Sequence, residues 1–218
     1  MHGQLTIVLV RFCECAGTLA RLIGRYDDLT EAGRGQAQAL QRAIDRPIAV
    51  LAPNNPACLQ TAEILAGGGA VEKQPAFRAP SYPSWAGLTL AEIAERWPRE
   101  WASFLEPEPG DADRVLAPGG ESLRATYERA KEGLDLAFSR YRDSGGAVVV
   151  VTHGEVVRLL TIGLLGAPLE NLFLIRSQNG SASRFSYDGS SAIFDTINDT
   201  SHLGGLTNTD LISLATGR

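Results

Sequence analysis

Two reactive side chains follow the two most apolar segments of the chain. Arg11 comes directly after the run Leu5 to Val10, and His153 follows the run Ala147 to Thr152. Apolar, β-branched runs of this length are typical of buried strands in a parallel sheet. The carboxyl ends of such strands share one edge of the sheet, and ligands of α/β proteins bind there. The sequence therefore predicts an anion pocket in which an arginine and a titratable imidazole converge.

The segments between and after these strands predict the elements that position the two side chains. Helical periodicity over Thr30–Ile44 and over Leu123–Tyr141 separates short apolar strands, which implies parallel crossovers. Asp188-Gly189 lies between two alternating segments near the end and predicts a hairpin. We expect an α/β fold, a three-layer sandwich with a mostly parallel sheet and helices on both faces.

Residues 75–120 differ in composition from the rest of the chain. They hold all three tryptophans and seven of the eleven prolines. Tryptophans need a core that covers them, so this region is predicted to be irregular but ordered. We expect a single domain over residues 1–218 with a small cap inserted at about residues 75–120.

Composition excludes several classes of partner. A net charge of −5 over 218 residues argues against nucleic acid and against an anionic membrane surface. Three cysteines form no disulfide framework, and no membrane span or signal peptide is evident, so a cytoplasmic setting is expected. The expected ligand is a small anionic molecule, no cofactor or metal is implied, and the terminal hairpin could pair with a second chain as a homodimer.

Seven segments also occur in the order of a known family pattern. They are Arg11-Phe12-Cys13-Glu14, Leu29-Thr30 with Gly33 and Gln36-Ala37, Thr61-Ala62, Trp85-Ala86-Gly87-Leu88-Thr89, Gly119-Gly120-Glu121-Ser122, His153-Gly154, and Asn198 to Leu203. This pattern resembles the histidine phosphatase superfamily, the phosphoglycerate mutase-like proteins. The resemblance implies an α/β fold and a phosphate pocket around Arg11 and His153.

The same resemblance locates the departures of this chain. In the family a histidine attacks phosphorus, two arginines and a second histidine hold the phosphoryl oxygens, and a carboxyl group protonates the leaving oxygen. The nucleophile position is Phe12 here, the second arginine falls on Ala57, and the acid falls on Ala79. Cys13 replaces the glycine of the opening motif, while Arg11 and His153 remain. Phosphohistidine catalysis is therefore not expected, because the loss of the nucleophile removes the covalent route.

A repurposed enzyme is the first hypothesis for what remains. Arg11 would anchor a carboxylate or a single phosphate, Phe12 would form an aromatic floor, and His153 would act as general acid or base. Cys13 could pair with His153 as a second catalytic residue. Four further residues are candidates for substrate contact because they stand on segments that would rim the pocket: Glu14, Asn54, Tyr82 and Ser84.

Two other hypotheses stay open. The combined loss of nucleophile, acid and one arginine favours a catalytically inactive binding or scaffold protein, a pseudophosphatase. A metal site built from Cys13, Cys15, Cys58 and His153 is the third reading, although Cys-x-Cys is not the usual spacing of zinc sites.

Overall fold

The computed structural model describes residues 3–115, 117 and 119–206, and the two ends of the predicted 1–218 domain fall outside that range. Its strands are β1 (Leu5–Arg11), β2 (Ala49–Ala52), β3 (Val71–Lys73), β4 (Ala147–Thr152), β5 (Ala182–Tyr187) and β6 (Ala192–Asp199). Its α-helices are α1 (Ala16–Leu19), α2 (Glu31–Ala43), α3 (Pro56–Ala66), α4 (Leu90–Arg96), α5 (Pro98–Leu105), α6 (Leu123–Tyr141) and α7 (Gly154–Leu164).

The six strands form one mixed sheet in the order β3-β2-β4-β1-β5-β6. The first four strands in that order run parallel, and β5 and β6 are the predicted antiparallel hairpin. The predicted α/β fold with a mostly parallel sheet is confirmed. β3, a three-residue edge strand, was not apparent from the sequence because so short a segment gives no periodicity.

Alternating residues of the central strands build two cores on opposite faces of the sheet. Val8 and Val10 belong to the core that α2 and α3 cover, together with Leu40. Ile7 and Leu9 belong to the core that α6 and α7 cover. A side-chain period of two along each strand produces this division. The arrangement is the three-layer sandwich that the sequence predicts.

Local capping fixes where the helices next to the sheet edge begin. The Thr30 side chain accepts a hydrogen bond from the Gly33 amide at the start of α2. Asn55 caps α3 by accepting from the Cys58 amide at 3.0 Å, and Pro56 occupies the first helical position. Asparagine before proline is a favourable combination at a helix start because proline needs no amide partner there. These caps set the rotation of α2 and α3 against the end of β1.

An aromatic cluster occupies the region predicted to be a cap. Tyr82, Trp85, Ile93, Trp101 and Phe104 are buried against one another, around the short helices α4 and α5. Backbone hydrogen bonds join this region to the loop after β1, from the Ile23 amide to the Leu88 carbonyl and from the Gly87 amide to the Ile23 carbonyl. Through these hydrogen bonds, residues Gly87 and Leu88 brace the loop that follows α1.

Candidate active site

Arg11 and His153 meet at the carboxyl edge of the sheet. β1 and β4 are parallel neighbours, and Arg11 pairs with Thr152 in their register, so His153 follows one residue later. Both side chains are buried, with 5% of Arg11 and 1% of His153 exposed. The strand order alone therefore brings the two predicted residues together.

A cavity of about 60 Å³ lies between these two strand ends. It has room for one small anionic group, with the remainder of a ligand extending outward. Its lining consists of Arg11, Phe12, Thr18, Leu22, Ile23, Gly24, Tyr26, His153, Gly154, Glu155 and Arg158. The loop after β1 and the first turns of α7 supply most of this wall.

Phe12 fills the position directly after Arg11 with an apolar ring. Its ring centroid lies 5.3 Å from that of His153 and 5.6 Å from that of Tyr26, both edge to face. Tyr26 and His153 are themselves 4.3 Å apart. Edge-to-face pairs at such distances stabilise one another beyond their burial. The cavity floor is thus an aromatic triangle with His153 at one corner.

The tautomer of His153 follows from the cap of α3. The Asn55 Oδ1 atom accepts from the Cys58 amide, so the Nδ2 group faces His153 and donates to Nε2 at 3.0 Å. An imidazole nitrogen that accepts a hydrogen bond carries no proton, so the proton of neutral His153 lies on Nδ1. Nδ1 is buried, and within the described residues it has no hydrogen-bond partner.

His153 is neutral near pH 7 and can donate one hydrogen bond. Burial lowers its pKa to about 3, and the positive charges of Arg11 and Arg129 act in the same direction. A group that titrates so far below neutrality is a weak general base and holds no second proton to give. The lowered pKa of His153 does not favour the role predicted for it, general acid or base. With Nε2 accepting from Asn55, Nδ1 is the ring nitrogen that can donate a hydrogen bond.

Two charged residues of α7 complete the wall, and the sequence analysis did not single them out. Arg158 is buried, donates from Nε to the Ile175 carbonyl at 2.9 Å, and burial lowers its pKa to about 9. Glu155 is half-buried, and burial raises its pKa against the opposing influence of Arg158 and Arg11. A spacing of three places Glu155 and Arg158 on one face of the helix. The sequence could have indicated both residues, because this spacing follows directly after His153-Gly154.

Arg11 keeps its charge despite its burial. Burial lowers its pKa to about 10, while Glu155 opposes that shift. Its Nη1 group donates to the Ser177 carbonyl, and its guanidinium lies 5.9 Å from the centroid of the Phe12 ring. These contacts hold the cation at the cavity wall, ready for an anion.

The predicted pairing of Cys13 with His153 requires correction. Cys13 is outside the cavity lining and packs into the core under α2 and α3, where its amide donates to Thr61 Oγ1. Burial raises the pKa of the Cys13 thiol to about 12. The thiol that approaches His153 is Cys58, whose Sγ lies 3.6 Å from Nε2. Burial raises the pKa of Cys58 still further, so neither thiol is an activated nucleophile.

Two predicted contact residues lie outside the cavity for structural reasons. The Glu14 carboxylate accepts from the Thr30 hydroxyl at 2.7 Å, and the Glu14 amide donates to Gln36 Oε1, so this residue joins the loop after β1 to α2. Asn54 is exposed in the turn, and its neighbour Asn55 makes the contact with His153.

Tyr82 and Ser84 also lie outside the cavity lining. The Tyr82 ring packs 5.4 Å from Trp85 and 5.8 Å from Phe104. The hydroxyl groups of Tyr82 and Ser84 are buried, without a hydrogen-bond partner in the described part of the chain. Tyr82 belongs to the aromatic cluster.

The two positions that lost their charge stay uncharged in the structure. Ala57 is fully buried in the first turn of α3, between Asn55 and Cys58. Ala79 is half-buried, and its neighbour Arg78 is exposed and paired with Glu121 at 2.8 Å.

Neither a metal-binding cluster nor a membrane-spanning helix is found among the described residues. Over residues 3–115, 117 and 119–206, no group of three or more histidine, cysteine, aspartate or glutamate side chains is arranged to hold a metal ion. The third reading, a metal site built from Cys13, Cys15, Cys58 and His153, therefore has no support in these residues. In the same ranges, no helix has the length and apolarity that crossing a bilayer requires.

With the geometry established, comparison with known proteins identifies the family. A model of the histidine phosphatase superfamily (branch 1) matches residues 7–200. The chain belongs to this superfamily. The resemblance predicted from the seven sequence segments is thereby confirmed, including its phosphoglycerate mutase-like character.

Relatives of this superfamily member cover nearly its whole length. Phosphoserine phosphatase 1 of Hydrogenobacter thermophilus is 29% identical over 207 residues, which is 92% of this chain and 95% of the relative. The metal-independent phosphoserine phosphatase of Arabidopsis thaliana is 28% identical over 208 residues, covering 92% and 84%. The solved structure of Bacillus stearothermophilus YhfR is 26% identical, with a TM-score of 0.80 over 91% of this chain and 99% of that one.

The buried thiols give a direct check of the site geometry. We expect Cys13 and Cys58 to resist alkylation in the folded protein at pH 8, because burial raises both thiol pKa values and excludes the reagent. Mass spectrometry after iodoacetamide treatment measures this, with urea-unfolded protein as the control that labels fully. Rapid labelling of either residue in folded protein would contradict the geometry.

Proposed function

We propose that this histidine phosphatase superfamily member binds a small phosphorylated or carboxylated metabolite between Arg11 and His153, without forming phosphohistidine. The observation that carries the proposal is the Phe12 ring, which occupies the nucleophile position and packs against His153 at 5.3 Å. A phenyl ring has no lone pair to attack phosphorus. The anion-binding side chains nevertheless still face the cavity.

The groups that remain suit binding better than covalent chemistry. Arg11 and Arg158 supply cations, and His153 supplies a neutral Nδ1–H donor. Charge-assisted hydrogen bonds of this kind are about twice as strong as neutral ones. Cys58 cannot substitute as nucleophile, since its thiol is fully buried and its pKa is raised. A proton donor near the leaving group is also missing at Ala79.

The relatives supply the ligand class to test. Two of them are phosphoserine phosphatases by name, so phosphate esters of small metabolites are the first candidates for this chain. The loop from Thr18 to Tyr26, which lines the cavity and is hydrogen-bonded to Gly87 and Leu88, would contact the part of such a ligand that extends outward. In this proposal the segment at about residues 75–120 serves as a cap within a single domain.

A repurposed enzyme is the second candidate, and one observation favours it. Glu155 is a carboxyl group in the cavity wall whose pKa is raised by burial. A carboxyl group of that kind could transfer a proton to a leaving group in a reaction that needs no covalent intermediate. Turnover of a small anionic substrate would support this candidate over a purely binding role.

The test measures binding and turnover on the same sample. O-phosphoserine, 3-phosphoglycerate and inorganic phosphate are titrated calorimetrically, and phosphate release and phosphoryl transfer to the protein are followed separately. We expect saturable binding and a ligand-dependent rise in Tm, with no phosphoryl-enzyme. Absence of binding by all three ligands would overturn the proposal, and so would a phosphorylated histidine in the protein.

A further inference from the structure

Tyr26 is a half-buried residue of the loop that follows α1, and it lines the cavity together with Phe12 and His153. Its ring centroid lies 4.3 Å from that of His153 and 5.6 Å from that of Phe12. Both contacts are edge to face, an arrangement that stabilises ring pairs beyond their burial. The tyrosine ring is therefore held in the cavity wall from two sides.

The Tyr26 hydroxyl is a free hydrogen-bond donor beside a cation. Among the described residues no group makes a hydrogen bond with it, and it is not one of the polar atoms that the protein encloses. Burial raises the pKa of Tyr26, and Glu155 acts in the same direction, so the phenol keeps its proton at neutral pH. The charge of Arg11 opposes this shift, which places the hydroxyl within electrostatic reach of the Arg11 guanidinium.

The other uncharged polar side chains of the cavity wall are already bonded or enclosed. The Thr18 hydroxyl donates to the Cys15 carbonyl at 2.8 Å. In His153, Nε2 accepts from Asn55, and Nδ1 is enclosed by the protein. In the part of the chain that the structure describes, Tyr26 therefore carries the uncharged side-chain donor that a ligand in this cavity reaches without a rearrangement.

We propose that Tyr26 is a ligand-binding residue, whose hydroxyl donates a hydrogen bond to the anionic group held by Arg11. The inference rests on the proposed function, because the bound anion supplies the acceptor. A hydrogen bond to a charged acceptor contributes more to affinity than one between neutral groups. The ring, by contrast, packs against His153 and Phe12 without any ligand. The two roles of this residue can therefore be separated by experiment.

The variant Tyr26→Phe removes the hydroxyl and keeps the ring with its two edge-to-face contacts. The full chain is titrated calorimetrically with inorganic phosphate, 3-phosphoglycerate and O-phosphoserine. We expect this variant to bind them about tenfold to 100-fold more weakly, the range of one hydrogen bond to a charged group. The Tm without ligand should not fall, because the hydroxyl has no hydrogen-bond partner among the described residues.

Tyr127→Phe is the matched control, because it makes the same change at a half-buried tyrosine of α6. Tyr127 lies outside the cavity lining, and its hydroxyl also lacks a hydrogen-bond partner within the described ranges. This variant should bind the ligands as the natural protein does. Tyr26→Leu removes the ring as well, so it should lower Tm in addition to affinity.

The outcomes separate the inference from the proposed function. If Tyr26→Phe binds with the affinity of the natural protein, the inference is wrong and the anion site stands. If it loses affinity only together with Tm, the hydroxyl acts through the fold, and the inference is wrong as well. If no ligand binds the natural protein, the proposed function fails and the inference fails with it. Weaker binding by Tyr26→Phe at unchanged Tm, with Tyr127→Phe unaffected, supports the inference.

Discussion

Replacing Gly33 with alanine is expected to lower Tm by roughly 6–12 °C, equivalent to about 3 kcal/mol in a protein of this size. A Cβ atom at Gly33 would lie 2.0 Å from the Glu14 carbonyl oxygen and 2.9 Å from its carbon. Both are backbone atoms, so no flexible side chain can move away. The first turn of α2 therefore approaches the loop after β1 too closely for any side chain.

The contact at Gly33 also determines the position of the candidate site. The Thr30 amide donates to the Glu14 carbonyl at 3.1 Å, and the Glu14 amide donates to Gln36 at 2.9 Å. Glu14 lies only three residues after Arg11, so displacing its backbone would shift the cation and the aromatic floor. Affinity for O-phosphoserine should fall together with stability in the alanine variant.

A matched control lies two residues away on the same helix. Gly35→Ala would place its Cβ 3.7 Å from a Leu206 side-chain carbon, an ordinary van der Waals distance. Alanine is favoured over glycine in a helix by about 1 kcal/mol, so this variant should gain stability. Thermal and urea unfolding of both variants measures the contrast. Equal Tm values for the two variants would show that the approach of α2 to Glu14 is not restrictive.

Strand order explains why Arg11 and His153 lie together, and the sequence therefore contained enough information to expect it. Arg11 and His153 each follow a strong apolar run, and parallel neighbours must end at one edge. The sandwich and the terminal hairpin follow from periodicity for the same reason. These features need only the period and the direction of each element.

The sequence analysis chose the wrong neighbours for His153, because the choice depends on how a helix or turn is rotated about its axis. Asn55 rather than Asn54 contacts His153, because Asn55 is the cap of α3 and its side chain turns toward the helix. Asparagine directly before Pro56 was a signal for that cap, so this contact was recoverable from the sequence. The sequence could not show that Cys58, and not Cys13, is the cysteine beside His153. That contact depends on how α3 packs against the end of β1.

The pKa shifts of the buried groups were the other property that the sequence did not reveal. His153 looked suited to acid-base chemistry because an ordinary histidine titrates near neutrality. Its complete burial beside Arg11 lowers the pKa to about 3 and makes it a donor. The pKa of Glu155 is raised for the same physical reason, the loss of water around the charged form. Both effects require the three-dimensional position of the neighbouring charges.

Arg11→Met should weaken binding of O-phosphoserine and of 3-phosphoglycerate alike by at least about 30-fold, because loss of one partner from a buried, hydrogen-bonded charge pair costs about 2–5 kcal/mol. The methionine stem fills the space of the arginine stem in a position that is 5% exposed. Because the Ser177 carbonyl loses the Arg11 donor in this variant, circular dichroism and thermal unfolding check that the variant is folded. Calorimetric titration measures the loss.

Arg25→Met is the matched control, because it removes the same formal charge from the loop that forms the cavity wall. Arg25 is exposed and paired with Asp27 at 3.2 Å, so its long-range influence on the cavity is screened. Arg11→Lys should fall between the two variants, since it keeps the charge but loses the planar fork that binds an anion at two points. Unchanged affinity in Arg11→Met would mean that the anion is held elsewhere. Equal losses in Arg11→Met and Arg25→Met, with unchanged affinity in Arg11→Lys, would indicate attraction by net charge, without a contact to the guanidinium of Arg11.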